Sequence, residues 1–296
     1  MRKMLFIFNP NSGKGMVKAH LPVIIDTFVK GGYEVVAHPT QTRADALHKV
    51  TARGADFDVI ACAGGDGTLN EVIAGLMQLN VKLPLGYIPA GTMNDFASSL
   101  EIPKTMTEAA KLIVEGETAE VDIGSFNGDY FTYVAGFGAF TSVSYETPQQ
   151  LKNMFGSLAY VMEMVKSLGM PKSYRVNVSY DGKELLGDYV FGMASNSKSV
   201  GGIKGLGGKD VFLDDGLFEC LLIKNPETIV EFQMTVNALL RREMESEHFH
   251  FFKASKIEFH SDDDLPWTLD GEFGGNCRNV TVTNMHKAVS VFVKKA

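Results

Sequence analysis

Hydrophobic positions in the N-terminal part of the chain follow two alternating patterns. The run at residues 4–8 is apolar throughout and ends at Asn-Pro-Asn-Ser-Gly, which predicts a buried strand followed by a turn. Apolar residues then recur at helical spacing over 17–28 and stop at Gly31-Gly32. The same alternation predicts strands at 33–37, 58–61 and 85–88 and helices at 44–53 and 68–79. Strands separated by helices favour βαβ units with a parallel sheet.

The pattern changes after about residue 122. Asn127-Gly128 and Asp181-Gly182 each lie between runs rich in aromatic and β-branched residues, and such pairs close two-residue hairpin turns. The run Asp262-Asp263-Asp264 predicts a solvated loop. Further strands are predicted at 217–223, 249–259 and 280–282, and helices at 149–168 and 227–244. This half of the chain is therefore predicted to be antiparallel β interrupted by helices.

These patterns predict an α/β plus β fold in two domains. Two domains are expected because single hydrophobic cores stop growing near ~250–300 residues. We predict an α/β domain over residues 1–125 and an antiparallel β domain over 126–286. The last segment, 287–296, contains the run AVSVFVKK, and this predicted strand could belong to either domain.

Composition and charge narrow the functional classes. The chain has 45% hydrophobic and 21% charged residues, as an ordinary globular protein does. Its net charge of −7 argues against a nucleic-acid partner. Three scattered cysteines without metal-ligand spacing predict a reduced, cytoplasmic protein. The first apolar run is too short for a secretion signal, and no apolar stretch has the length of a transmembrane helix, so any membrane contact is predicted to be peripheral.

The segment AGGDGTLNE, at residues 63–71, carries the strongest candidate chemistry. It follows a predicted buried strand and precedes a helix, so its glycines allow backbone N–H groups to approach an anion at the helix N-terminus. A tight turn that needs positive φ is the alternative, but it does not explain Asp66 among three glycines before a hydroxyl and an amide. We expect phosphate to bind here. A Walker loop is excluded because Gly15 follows Lys14 where Ser or Thr would be needed, and a Rossmann fingerprint is excluded because no GxGxxG opens the first helix.

Two other polar segments follow predicted strands, NPNSG at 9–13 and PAGTMND at 89–95. Ligands of open parallel sheets bind at the carboxyl ends of the strands, so both segments are expected near the glycine motif. Simple helix capping is the alternative in each case, through Asn11 or Ser12 in the first segment and through Thr92 with Asp95 in the second.

NPNSG, GGDGTLNEV and PAGTMNDFASSLEIP, in this order and at these separations, resemble the diacylglycerol kinase catalytic family, which includes bacterial soluble diacylglycerol kinases and sphingosine and ceramide kinases. The resemblance continues through VDIG at 121–124, LDDGL at 213–217 and LDGE at 269–272. It implies a Rossmann-like N-terminal domain, a C-terminal β-sandwich domain and ATP-dependent phosphorylation of a lipid alcohol, most simply diacylglycerol to phosphatidic acid. It also implies transient contact with a membrane surface and is compatible with a homodimer.

The resemblance implies a role for individual residues. ATP is expected at Asn9, Pro10, Asn11, Ser12, Gly13, Thr40, Gly64, Gly65, Asp66, Gly67, Thr68, Leu69, Asn70 and Thr92. Asp270 is expected to be the general base that accepts the proton of the lipid hydroxyl. Local sequence alone favours a hairpin turn at Asp270-Gly271, and only the presence of the other motifs reverses this. Phosphoryl transfer also needs cations, and Asp66 is expected to reach the Mg²⁺ of the nucleotide directly or through water.

A second, structural Mg²⁺ is implied at the Asp215 carboxylate and the carbonyls of Phe212 and Leu217, with Asp122 joining through water. A type I′ turn at 214–216 is the alternative. The sequence departs from the family where Ser98 and Ser99 stand in place of a basic residue.

Two other functions remain open at this point. An NAD kinase-like enzyme would share the GGDGT motif, but NPNSG and LDGE argue against it. A nucleotide- or lipid-binding regulator without chemistry would have no need of both Asp66 and Asp270.

Overall fold

The computed structural model describes residues 1–138, 171–200, 203–204, 210–241, 243 and 245–295. The helix predicted at 149–168 lies outside these residues. Within the described part of the chain, no helix is long and apolar enough to cross a membrane.

Four parallel strands in the order β4-β3-β1-β2 form the N-terminal sheet. They are β1 (Arg2–Phe8), β2 (Tyr33–Pro39), β3 (Val59–Gly64) and β4 (Pro84–Pro89). Five helices accompany them: α1 (Met16–Lys30), α2 (Asp45–Arg53), α3 (Asp66–Leu76), α4 (Asp95–Ser99) and α5 (Met106–Glu115). Every residue of β3 is buried, which means that both faces of the sheet are covered, because successive side chains of a strand point to opposite faces.

The rest of the described chain is mostly antiparallel. Its strands are β5 (Glu117–Phe126), β6 (Asp129–Phe131), β7 (Val134–Gly138), β8 (Tyr174–Tyr180), β9 (Lys183–Ser195), β10 (Ser199–Val200), β11 (Ile203–Lys204), β12 (Phe218–Lys224), β13 (Phe249–Ala254), β14 (Lys256–Leu269) and β15 (Glu272–Val293), with one helix, α6 (Ile229–Arg241). The hairpin turns predicted at Asn127-Gly128 and Asp181-Gly182 are confirmed, with positive φ at both residues of each pair. The predicted α/β plus β class is confirmed.

The long strand β15 connects the two parts of the fold. Its first half pairs with β14, and its second half pairs antiparallel with β5. Near its end, Ser290 and Val291 pair in parallel with Pro84 and Leu85 of β4, so the C-terminal segment extends the N-terminal sheet. Val291 accordingly belongs to the buried apolar cluster of the N-terminal part. The division at 125/126 stays a prediction.

Three details differ from the sequence-based expectations. The prediction of a loop at Asp262-Asp263-Asp264 was wrong. This exposed run lies inside β14, where the register with β15 shifts between His260 and Leu265. The strand predicted at 249–259 is two strands, β13 and β14, which are separated at Ser255. Helices α4 and α5 were not predicted, although α5 buries Met106, Ala109, Ala110 and Ile113 at helical spacing.

The β-rich part is organised around Trp267, which is fully buried. Its ring lies 5.0 Å from that of Phe137, 5.1 Å from that of Phe126 and 5.1 Å from that of Phe259. Its indole N–H is buried without a hydrogen-bond partner among the described residues. Such a donor costs free energy, so part of the benefit of burying this ring is lost.

We therefore expect Trp267→Ala to lower the free energy of unfolding by about 3–5 kcal/mol, because it leaves a large cavity among three aromatic rings. Trp267→Phe should cost far less, about 1 kcal/mol, because it keeps the ring contacts and removes the unpaired donor. Urea unfolding of both variants checks this, and equal losses would contradict the role given to the indole N–H.

Candidate active site

The loops after β1, β2, β3 and β4 lie together at one edge of the sheet. The amide of Asn9 donates to the carbonyl of Ala63 at 2.9 Å, and that of Ala90 donates to Gly64 at 2.8 Å. The amide of Thr40 donates to the last residue of β1 at 2.9 Å. The structure thus brings together the segments that contain the residues expected to bind ATP, namely 9–13, 40, 64–70 and 92.

The glycines of the AGGDGT segment allow two loops to approach each other. A Cβ atom added to Gly91 would lie 2.8 Å from the Cα of Gly65 and 2.8 Å from Oδ1 of Asn94. Gly64, Gly65 and Gly67 do not have positive φ, so the tight-turn alternative is wrong. Gly65 precedes α3 in an extended conformation and its position makes no side-chain cap, which leaves backbone N–H groups of the first turn available to an anion.

The two capping alternatives are also wrong. The residue that precedes helix α1 is Gly15, which has no side chain, and not Asn11 or Ser12. Helix α4 follows Asn94, which has a left-handed conformation with φ 53°. The Asn94 side chain instead holds its own loop, because its Oδ1 accepts from the amide of Gly91 at 2.9 Å and its Nδ2 donates to the carbonyl of Gly91 at 2.9 Å.

Asp66 carries a partly buried carboxylate beside this loop. Its Oδ2 accepts from the amide of Asn94 at 3.0 Å, whereas its Oδ1 is buried without a hydrogen-bond partner among the described residues. Burial raises the pKa of Asp66 to about 7, and the nearby charges of Asp95 and Asp270 raise it further. An unpartnered carboxylate oxygen at an anion cradle fits a hard divalent cation such as Mg²⁺. Asp95 is itself buried, and its Oδ1 accepts from the hydroxyl of Ser199 at 2.6 Å.

Asp270 lies in the β14–β15 turn, and its carboxylate is buried. Both Asp270 and Gly271 have positive φ, so the hairpin-turn interpretation holds together with the special environment of the side chain. Oδ1 accepts from the amides of Tyr133 at 2.9 Å and Val134 at 3.1 Å. Oδ2 accepts from the amide of Thr132 at 2.6 Å, from its hydroxyl at 2.8 Å and from Nδ2 of Asn70 at 2.8 Å. Burial raises the pKa of Asp270, and these donors oppose the rise.

Asn70 joins the two halves of the site. Its Nδ2 donates both to Asp270 and to the carbonyl of Tyr130, at 3.1 Å. Because Asn70 lies in α3, directly after the glycine loop, this amide fixes the distance between the expected phosphate cradle and the buried carboxylate. The chemistry that such an arrangement supports is the deprotonation of a group close to bound phosphate.

The LDDGL loop is anchored by Asp122, which is fully buried in β5. Asp122 Oδ2 accepts from the amide of Gly216 at 2.7 Å, and its Oδ1 accepts from the amide of Lys287 at 2.7 Å. Asp215 Oδ1 accepts from the amide of Leu217 at 3.0 Å. A type I′ turn at 214–216 is wrong, because Gly216 alone of these three residues has positive φ.

A lysine lies beside the same loop. The ammonium of Lys253 is 2.9 Å from Oε1 of the buried Glu219, donates to the carbonyl of Asp210 at 2.6 Å, and is 3.8 Å from Oδ2 of Asp215. Burial raises the pKa of Glu219 to about 7, although Lys253 opposes this.

No group of three or more His, Cys, Asp or Glu side chains within the described segments has the arrangement of a metal site. The expected set instead relies on the Asp215 carboxylate and two carbonyls, oxygen donors that suit Mg²⁺.

Several residues of the site were not identified from the sequence. Thr132 and Tyr133 donate to Asp270 from 138 and 137 positions away in the chain. Asn196 extends this contact, because its amide donates to Tyr133 at 3.0 Å and its side chain donates to the carbonyl of Asp122 at 3.1 Å. For Thr132 and Tyr133 the sequence signal is limited to the aromatic-rich run that follows Asn127-Gly128, which does not indicate what its residues contact, and Asn196 lies in no motif.

Comparisons with known proteins show which family this chain resembles. The sequence profile of the diacylglycerol kinase catalytic domain matches residues 3–126. Diacylglycerol kinase of Bacillus subtilis (strain 168) is 35% identical over 297 residues, which cover 100% of this chain and 97% of that protein. Diacylglycerol kinase of Staphylococcus aureus (strain JH9) is 35% identical over 99% of this chain and 93% of its own length. The crystal structure of a diacylglycerol kinase from Bacillus anthracis str. Sterne shares the fold, with a TM-score of 0.83 at 24% identity over 99% of this chain and 97% of that one.

The raised pKa of Asp66 predicts a pH-dependent stability. In the unfolded chain an Asp ionises near pH ~3.9, so between about pH 4 and 7 the folded protein binds more protons and loses stability as the pH rises. Asp66→Asn removes this titration. Its stability relative to the parent protein should therefore increase from pH 5 to pH 8, by a few kcal/mol at most.

Urea unfolding at the two pH values, without Mg²⁺, measures this difference. Asp26→Asn, at an exposed carboxylate paired with Lys30, is the matched control and should differ from the parent protein by little at either pH. A pH-independent difference for Asp66→Asn would contradict the prediction.

Proposed function

The chain belongs to the diacylglycerol kinase catalytic family and is a lipid kinase, and on this premise we propose that it transfers the γ-phosphate of ATP to the hydroxyl of diacylglycerol, giving phosphatidic acid. The hydrogen bond between Asn70 and Asp270 is the observation that carries this proposal, because it joins the glycine loop to a buried carboxylate.

The triphosphate binds at the N-terminus of α3 and at residues 9–13, with Thr40 and Thr92 at its sides. The uncapped first turn of α3 and the close approach of Gly65 to Gly91 support this assignment, since both leave backbone N–H groups accessible to an anion. Mg²⁺ bound with the nucleotide would neutralise phosphate oxygens, and the unpartnered Oδ1 of Asp66 is the protein oxygen that suits it.

Asp270 accepts the proton of the lipid hydroxyl. Three of its five donors are backbone amides and are fixed, whereas the hydroxyl of Thr132 and the amide of Asn70 are side-chain groups that rotate. The lipid hydroxyl takes the place of one of these two at Oδ2. Its proton passes to the carboxylate as its oxygen attacks the γ-phosphorus, and the bond to the bridging oxygen of ADP breaks. The raised pKa of Asp270 favours proton acceptance.

The Asp215 carboxylate and the carbonyls of Phe212 and Leu217 would hold a second, structural Mg²⁺, since oxygen donors of this kind suit that cation. Lys253 lies closer to Glu219 than to Asp215, so its ammonium leaves the Asp215 carboxylate available as a ligand. Asp122 shapes the loop through the Gly216 amide and supports the metal indirectly.

The location of the substrate determines where in the cell such an enzyme acts. Diacylglycerol resides in membranes, so we propose that the protein works at a membrane surface from the cytoplasm, through peripheral and transient contact. A homodimer is part of the same proposal.

Replacement of Asp270 tests the chemistry. We expect Asp270→Asn to lower turnover about 10³-fold or more with ATP, Mg²⁺ and micelles that contain diacylglycerol, while ATP affinity changes little. The side-chain NH₂ group of Asn would face groups that are themselves hydrogen-bond donors, so Asp270→Asn also destabilises the turn. Asp270→Glu keeps the charge but moves it by one methylene, and it should lose turnover as well.

The matched control is Asp181→Asn, which changes the other Asp-Gly hairpin turn of positive φ and should keep full activity. Equal loss of ATP affinity and turnover in both Asp270 variants would contradict the role of Asp270. Phosphorylation of NAD instead of lipid would support an NAD kinase-like enzyme, and ATP binding without transfer to any lipid would support a regulator.

The structural metal has its own test. Removal of Mg²⁺ by a chelator should lower the melting temperature of the parent protein by a few degrees, which corresponds to about 1 kcal/mol. Asp215→Asn should have a melting temperature that no longer depends on Mg²⁺, measured by thermal scanning without nucleotide. Asp214→Asn is the control and should behave like the parent protein. A melting temperature of the parent protein that does not depend on Mg²⁺ would contradict this site.

A further inference from the structure

The loop between β2 and α2 is held in a strained conformation. Ala44 has φ 62° and ψ 5°, a left-handed conformation that costs free energy for any residue with a Cβ atom. Glu71 of α3 maintains it, because its Oε1 accepts from the amide of Ala44 at 2.7 Å and its Oε2 accepts from the amide of Ala46 at 3.2 Å. Asp45 adds a bond from the amide of Gln41 at 2.7 Å. The backbone on both sides of residue 43 is therefore fixed.

This loop presents Arg43 to the opposite side of the site. The guanidinium Nη2 of Arg43 lies 3.2 Å from Oε2 of Glu272, which directly follows the Asp270-Gly271 turn. The other oxygen of Glu272 covers the glycine loop, because a Cβ atom added to Gly67 would lie 2.7 Å from it. The ion pair thus spans the expected phosphate cradle at the end that faces Asp270.

Stability does not explain this arrangement. The side chains of Arg43 and Glu272 are 81% and 59% exposed, and exposed ion pairs contribute little to the free energy of unfolding. The strain at Ala44 and the carboxylate of Glu71 are nevertheless used to hold Arg43 in place. Strained backbone that a protein maintains without gain in stability is typical of binding sites.

The charges of the cradle indicate what Arg43 would bind. Asp66, Asp270 and Glu272 make this region acidic, so a bound triphosphate needs cationic partners beyond one Mg²⁺. A guanidinium is suited to this task, since its parallel N–H groups bind two phosphate oxygens as well as they bind two carboxylate oxygens.

We propose that Arg43 is a phosphate-binding residue that exchanges the Glu272 carboxylate for the terminal phosphate of ATP. The inference rests on the proposed ATP site and adds the residue that distinguishes ATP from ADP there. The terminal phosphate is the one that must lie nearest Asp270, and Glu272 keeps Arg43 at this end of the cradle until the nucleotide binds. Arg43 then stabilises the charge of the phosphoryl group during transfer.

Calorimetric titration of ATP and ADP with Mg²⁺ tests this assignment in four proteins: the parent, Arg43→Ala, Arg43→Lys and Arg53→Ala. Arg43→Ala should weaken ATP binding about tenfold and leave ADP affinity within about twofold, as expected for one charge-assisted contact to the terminal phosphate. Arg43→Lys should recover part of the loss, because it keeps the charge without the paired N–H groups. Arg53→Ala, whose parent residue pairs with Asp56 at the end of α2, should change neither affinity.

Glu272→Gln tests the same assignment from the other side of the ion pair. It releases Arg43 from its ion pair, so the ratio of ATP to ADP affinity should rise, and this rise should disappear in the double variant with Arg43→Ala. Unchanged ATP affinity in Arg43→Ala, or equal losses for ATP and ADP, would overturn the assignment of Arg43 while leaving the proposed kinase intact. A parent protein that binds neither nucleotide would overturn the proposed function itself.

Discussion

The buried carboxylate of Asp270 is the constraint on which the rest of the site depends. A charge in this environment is tolerated only if its oxygens are fully hydrogen-bonded, and its five donors come from α3, from residues 132–134 and from nowhere else within the described chain. The contact therefore aligns the parallel sheet with the antiparallel part. It extends further, because Asn196 connects Tyr133 to Asp122, which in turn holds the LDDGL loop.

This alignment brings carboxylates closer together than stability alone would favour. The charges of Asp95 and Asp270 add to the burial that raises the pKa of Asp66, and one oxygen of Asp66 has no partner among the described residues. A protein that bound no cation here would gain stability from a neutral side chain at this position. The arrangement is more readily explained by a ligand that brings its own cation, as a nucleotide bound with Mg²⁺ does.

Much of the glycine-loop side of the candidate site could be predicted from the sequence, because its arrangement has a local cause. Parallel strands end at one edge of their sheet, so the polar segments after them meet without any knowledge of tertiary contacts, as Asn9 and Ala90 show. The surroundings of Asp270 could not be predicted in this way. Thr132 shows no motif, and its bond to Asp270 spans 138 positions. Local sequence alone favours a turn at Asp270, and the structure shows that turn together with a buried, hydrogen-bonded carboxylate.

The same physics explains why the separate motifs indicate a family together when each is weak alone. Each motif is one partner of a contact between distant segments: Asp122 of VDIG accepts from Gly216 of LDDGL, and Asp270 of LDGE accepts from Asn70 of GGDGTLNE. A single motif needs only a turn or a cap to account for it, which the chain supplies in many places. Two motifs that satisfy each other's buried polar groups constrain one another, because the loss of either leaves an unpaired charge or donor. Their joint presence therefore identifies the fold and the location of the site at once, whereas the identity of the lipid depends on surfaces that these contacts do not determine.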